Sequence, residues 1–324
     1  MARDLTPVHP ELRRMAKAFP RVSFNRWNVR LFNGLIRLQP KPKLPPGIQT
    51  TELAIPGHDQ SHDIRLCVYR PGEQGNQAPA LLWMHGGGMV IGRADMNAAQ
   101  VTGLVQELGL VIISVDYRLA PAHAFPTALH DCYQALKWIS ANARLLGIDP
   151  DCIAIGGESA GGGLAASLAQ LTHDTGEVRP VFQLLIYPML DDRSALRADL
   201  SDVETLAWTP QSNRFAWESY LDQACGSETL PPYAVPARRA DLSGLPPAWI
   251  GVGTLDLFHD EAIAYAQRLK SDGVDCELVV VPGAFHGFDQ FDHELAVVRA
   301  FRRSQIEALR KHCRGPRPAR PHPQ

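Results

Sequence analysis

The sequence predicts an α/β protein: a mostly parallel central sheet with helices on both faces and a helical cap. Three observations predict it. Short apolar runs alternate with longer stretches of helical spacing through the middle of the chain. The runs read almost continuously apolar, as strands do when both faces of a sheet are covered. Two segments, 1–46 and 190–241, break the alternation, and insertions of that length in a compact domain usually carry their own structure and a function.

Taken in order, strands are expected at 64–69, 80–84, 111–115, 152–155, 181–186, 248–252 and 277–281, each a short run rich in Val, Ile and Leu. Helices are expected between them at 96–108, 126–142, 159–171, 260–272 and 293–309, where apolar residues recur every three to four positions. The first irregular segment carries helical spacing over 15–38 and ends in the Pro-rich stretch from Pro40 to Pro46. The second holds Trp208, Phe215, Trp217 and Tyr220. Both are read as a cap over the C-terminal ends of the strands, where open α/β sheets bind ligands. The chain then divides into a cap segment (1–46), a first core part (47–189), a cap insertion (190–241), a second core part (242–314) and a disordered tail (315–324).

Composition excludes several classes. With 324 residues, 45% hydrophobic, 20% charged and a formal net charge of −2, the chain is expected to be globular, with no electrostatic reason to bind nucleic acid or an anionic membrane. The basic cluster of note runs from Arg302 through Lys311 to Arg320. The six cysteines are scattered without a C-x-x-C pair or a His at zinc-ligand spacing, so neither a metal nor another cofactor is expected. The first residues lack a signal-peptide apolar region, and no run reaches the ~20 apolar residues of a membrane span. A reduced, cytoplasmic setting is the expectation.

Chemistry is concentrated in a few short motifs. Gly157-Glu158-Ser159-Ala160-Gly161 follows the strand at 152–155 and opens the helix at 159–171, which makes Ser159 a candidate nucleophile on a strained strand-to-helix turn. A serine nucleophile needs a base, and His286 follows the strand at 277–281 in a loop flanked by Gly283 and Gly287. His123, His130, His173 and His259 have weaker claims from their positions. The base needs an orienting acid, and Asp256 lies just beyond the strand at 248–252; Asp260 is the main rival, although its place fits the first turn of a helix. An oxyanion needs unobstructed N–H donors, which the run His85-Gly86-Gly87-Gly88 after the strand at 80–84 and the N–H of Ala160 supply. A phosphate loop does not fit, because G-x-x-x-x-G-K-[ST] is absent and Gly161 to Gly163 fall inside the helix.

Together these residues resemble the hormone-sensitive-lipase-like esterases (bacterial family IV) of the α/β-hydrolase fold. The resemblance runs from about 81 to 288 and is carried by His85-Gly86-Gly87-Gly88 with Gly92, Asp116-Tyr117-Arg118-Leu119-Ala120-Pro121, Phe125-Pro126, Gly157-Glu158-Ser159-Ala160-Gly161-Gly162, Tyr187 to Arg193, and His286-Gly287-Phe288. It implies a triad of Ser159, Asp256 and His286, an oxyanion hole at the N–H groups of Gly87, Gly88 and Ala160, and hydrolysis of short-to-medium acyl esters. Trp208, Phe215, Trp217 and Tyr220 are expected to line the substrate pocket. The partner expected is a small-molecule ester, with a homodimer as one open oligomeric state. An amidase, lactone or carbamate hydrolase would use the same groups, and a non-catalytic receptor would be expected to lack the base. Two departures stand out. Glu158 occupies a position where the family often has Asp, and Ala122 one where it usually has Glu, which would leave Arg118 without that acid.

Overall fold

The computed structural model describes residues 4–19, 22–58, 62–73, 77–201 and 203–313, so the tail expected at 315–324 lies outside the described residues. Eight strands form one sheet: β1 (Ile48–Pro56), β2 (Asp63–Pro71), β3 (Ala78–Met84), β4 (Val111–Val115), β5 (Ile148–Glu158), β6 (Gln183–Ile186), β7 (Ala248–Leu255) and β8 (Cys276–Phe285). Their order is β1-β2-β4-β3-β5-β6-β7-β8; β2 is antiparallel to both β1 and β4, and every pair from β4 to β8 is parallel.

Seven of the strands lie where apolar runs predict them, and β1 is the exception. Its sequence Ile-Gln-Thr-Thr-Glu-Leu-Ala-Ile-Pro forms an edge, with most side chains in solvent, so burial imposes no apolar run on it. The helices are α1 (Arg13–Ala18), α2 (Asn28–Leu38), α3 (Ala98–Leu108), α4 (Thr127–Ala141), α5 (Ala143–Leu146), α6 (Ala160–Thr175), α7 (Pro210–Leu221), α8 (His259–Ser271) and α9 (Ala296–Cys313). Left-handed glycines end three of them, Gly109 after α3, Gly147 after α5 and Gly176 after α6. Thr209 starts α7, its side chain accepting from Ser212 N–H with Pro210 at the first helical position.

The topology brings two loops together. From β3 the chain passes to β4 on one side, then returns to place β5 on the other, so the strand order reverses between β3 and β5. Register pairs Met84 with Gly157, which sets the loop beginning at His85 beside the turn at Ser159. In open α/β sheets such a reversal is where ligands bind, outside the carboxyl ends of the strands.

The two irregular segments meet each other. Ser23 Oγ lies 2.9 Å from Thr209 Oγ1, the Phe24 N–H donates to Ser212 Oγ at 2.8 Å, and the Phe24 ring packs 5.7 Å from that of Trp208. Arg118 is not left without an acid by Ala122. Asp131 on α4 accepts from the Arg118 backbone N–H, from Nε at 3.0 Å and from a terminal guanidinium nitrogen at 2.8 Å. All six cysteines are free thiols in the interior.

Candidate active site

β5 ends at Glu158 and α6 begins at Ala160, so Ser159 is the whole turn. Its φ of 53° and ψ of −121° are strained for a residue with a Cβ, a cost of order 1–3 kcal/mol that the surroundings must offset. Three backbone bonds hold it. The Ser159 N–H donates to the Ile186 carbonyl at 2.9 Å, and its own carbonyl accepts from Met189 at 3.0 Å and Gly163 at 3.1 Å. The helix can turn back this tightly because position 161 is glycine, where a Cβ would sit 2.0 Å from the Met84 carbonyl oxygen.

Asp256 and His286 are the first residues past β7 and β8. His286 Nε2 lies 3.0 Å from Ser159 Oγ, and Nδ1 lies 2.9 Å from Asp256 Oδ2. The second carboxylate oxygen of Asp256 accepts from the Phe258 N–H at 2.9 Å, which fixes the carboxylate plane. The rings of Tyr187 and Phe258 stand edge-on to the imidazole at 4.7 and 5.1 Å, and all three polar side chains are buried. Asp260 sits instead in the first turn of α8, paired with Arg197 at 2.9 Å and His259 at 2.8 Å. His130 faces His58 rather than the serine, and His123 lines a surface cleft.

The loop after β3 lies beside the turn at Ser159 through the pairing of Met84 with Gly157. Among the described residues, the N–H groups of Gly87, Gly88 and Ala160 meet no protein acceptor. Gly87 and Gly88 have φ of 109° and 62°, which favour glycine, and a Cβ on Gly88 would lie 2.5 Å from the Trp208 ring. The loop is anchored from behind: the His85 ring stacks on Tyr117 at 4.2 Å, and the Tyr117 hydroxyl donates to the His85 carbonyl at 2.7 Å. Burial pushes the His85 imidazole below its ordinary pKa, so it stays neutral. Asn33 of α2 closes the far side, donating to the Val90 carbonyl at 2.8 Å and accepting from the Gly92 N–H at 3.2 Å.

Glu158 points away from the serine into a buried polar cluster. Its Oε1 accepts from Asn97 Nδ2 at 2.7 Å and Gln290 Nε2 at 3.0 Å, while the Tyr187 hydroxyl, near Oε2, bonds Asp289 at 2.8 Å. Burial, reinforced by the charge of Asp289, lifts the Glu158 carboxyl to about 7; burial raises Asp289 as well. Sequence reasoning did not identify Asn97, Asp289 or Gln290 as functional. Asn97 lies far from Asp289 and Gln290 along the chain, and no spacing marks it as their neighbour.

The four aromatic residues expected in a pocket have different environments. Trp208 lies against Gly88. Phe215 lines a cleft of about 880 Å³ between α2 and α7 that does not include Ser159 or His286. Trp217 and Tyr220 are buried against each other with ring centroids 6.1 Å apart. Among the described residues, no three His, Cys, Asp or Glu side chains are gathered as metal ligands would be.

This fold and this constellation define a serine hydrolase. Residues 81–290 match a family described by the alpha/beta hydrolase fold. The chain is 34% identical over 292 residues to "Carboxylesterase NlhH" of Mycobacterium tuberculosis, covering 88% of this chain and 89% of that one. It is 32% identical over 280 residues to "Ethyl acetate hydrolase" of Pseudomonas putida, covering 81% and 82%. The solved "Bacterial Heroin Esterase" superposes with a TM-score of 0.86 at 34% identity, over 96% of this chain and 99% of that one. The chain belongs to the α/β-hydrolase family, in its hormone-sensitive-lipase-like branch.

Proposed function

We propose that this protein is a carboxylesterase acting on short-to-medium acyl esters, with Ser159 as nucleophile, His286 as general base and Asp256 as its orienting acid. The observation that carries the reading is the continuous line from Asp256 through His286 to Ser159 Oγ, at 2.9 and 3.0 Å; the N–H groups of Gly87, Gly88 and Ala160, which meet no acceptor among the described residues, support it. Ser159 Oγ attacks the ester carbonyl while His286 Nε2 takes its proton, and the oxyanion forms against the three donors. His286 returns the proton to the leaving alcohol, leaving an acyl-serine. Water, deprotonated by His286, then releases the acid and restores the serine. Similarity to a protein named for ethyl acetate hydrolysis supports a short acyl group. Residues 1–46 and 190–241 serve as the cap, a role supported by their mutual contacts at Ser23, Phe24, Trp208 and Thr209.

The test is hydrolysis of 4-nitrophenyl esters from acetate to decanoate by the wild type and by Ser159→Ala. Wild type is expected to peak between acetate and octanoate, and the variant to lose on the order of 10⁵-fold in kcat. Full activity in the variant would place the chemistry elsewhere.

A further inference from the structure

The mechanism makes no use of the outer face of α2. Trp27, just before the helix, is 87% exposed, and Leu31, Leu35 and Leu38 are 63%, 52% and 82% exposed. At 3.6 residues per turn these four share one narrow arc. Gly34 borders this arc, with nothing within 4 Å of where its Cβ would be. The helix is not loosely attached. Val29 is buried on its inner side, Asn33 is bonded to Val90 and Gly92, and Arg93 donates to the Ile36 carbonyl at 2.7 Å. The apolar stripe is therefore held outward by the packing of the opposite face.

The charge around the stripe is one-sided. Residues 12–51 hold nine of the 32 Lys and Arg and none of the 34 Asp and Glu. Net charge hides this, because the rest of the chain is acidic; the distribution, not the total, sets the local field. Arg26, Arg30 and Arg37 form the flank of α2 beside the stripe, and all three are exposed. They also edge the 880 Å³ cleft, whose carboxylates are Asp116, already engaged by Arg65 at 3.2 Å, and Glu218 and Asp222 on the far wall.

We infer that α2 docks the protein on an anionic lipid surface, with Trp27, Leu31, Leu35 and Leu38 in the headgroup boundary and Arg26, Arg30 and Arg37 against the lipid charges. A tryptophan and leucines on one face with arginines alongside is the pattern of a helix that lies in the interface plane. It does not span. Among the described residues no helix is long and apolar enough to cross a membrane, and α2 has 11 residues. Charge favours a lipid over a second copy, since a two-fold contact would set the same arginines against one another. Area does too: four side chains at these exposures offer on the order of 500 Å², below the ~800 Å² per partner of a stable interface.

The test is co-sedimentation of the full chain with vesicles of phosphatidylglycerol and phosphatidylcholine in equal parts, and with phosphatidylcholine alone. Wild type is expected to pellet with the anionic vesicles and to be released by about 0.5 M salt. Trp27→Ser/Leu31→Ser/Leu38→Ser and Arg26→Glu/Arg30→Glu/Arg37→Glu are each expected to weaken binding at least about tenfold, with thermal unfolding unchanged. Wild type remaining in the supernatant at low salt, or variants pelleting as it does, would overturn the inference. So would a dimer that the serine variant splits while wild type ignores lipid. Sedimentation does not depend on turnover, so failure of the esterase reading is seen separately, as absent hydrolysis of soluble 4-nitrophenyl esters.

Discussion

Glu158 shows how a residue next to the proposed nucleophile can carry a cost for the fold. Its carboxyl titrates near 7 in the folded chain against 4.5 when solvated, because burial penalises the charged form. Below about pH 4.5 both states hold the proton and stability is unaffected. As pH rises to about 7 the unfolded state ionises while the folded state does not, and the full loss, on the order of 3 kcal/mol, is present above that range. Glu158→Gln keeps hydrogen-bonding groups for its neighbours and removes this titration. The variant's melting temperature relative to wild type is therefore expected to be higher at pH 8 than at pH 5, by several degrees. An offset that is the same at both pH values would show that Glu158 does not titrate in this window.

At the scale of elements, the N-terminal segment and the 190–241 insertion act on the same loop. α2 holds it through Asn33, and Trp208, just before α7, presses on Gly88. Trp208→Ala should open space beside the proposed oxyanion donors. The octanoate-to-butyrate ratio of kcat/KM is expected to rise on the order of tenfold, since each methylene newly accommodated is worth about 1 kcal/mol or more. An unchanged ratio across a chain-length series would place the acyl group away from Trp208. Trp217 and Tyr220 differ: all three are aromatic and lie in one insertion, yet only the folded structure sets Trp208 against Gly88 and the other two against each other.

For the whole molecule, Asp131 ties distant segments together. It is fully buried on α4 and receives Arg118 from the strand-to-helix connection after β4 and His62 from just before β2. Asp131→Ala would remove this acid from the Arg118 guanidinium, and breaking a buried pair costs about 3–5 kcal/mol. Chemical denaturation should show a loss at the lower end of that range, because Arg118 is partly solvated. A change below 1 kcal/mol would mean that water replaces the acid. Asp131 also illustrates a limit of local reading: Ala122 suggested an unpaired Arg118, while the partner came from within a helix nine residues further on.

Much of the sheet and the proposed chemistry was legible in the chain because each depends on local order. A strand buried on both faces must be apolar, a strained turn needs glycine beside it, and a base or acid must follow directly after its strand. β1 was missed because an exposed edge imposes no such pattern, and the cluster of Asn97, Glu158, Tyr187, Asp289 and Gln290 because its members meet only through the fold. The apolar stripe of α2 lay between these cases. Its spacing is written in residues 27–38, but whether that face points to the core or to solvent is settled by Val29, Asn33 and Arg93 holding the opposite side down. Periodicity records that a helix has two faces; only the packing of the rest of the molecule chooses which one is covered.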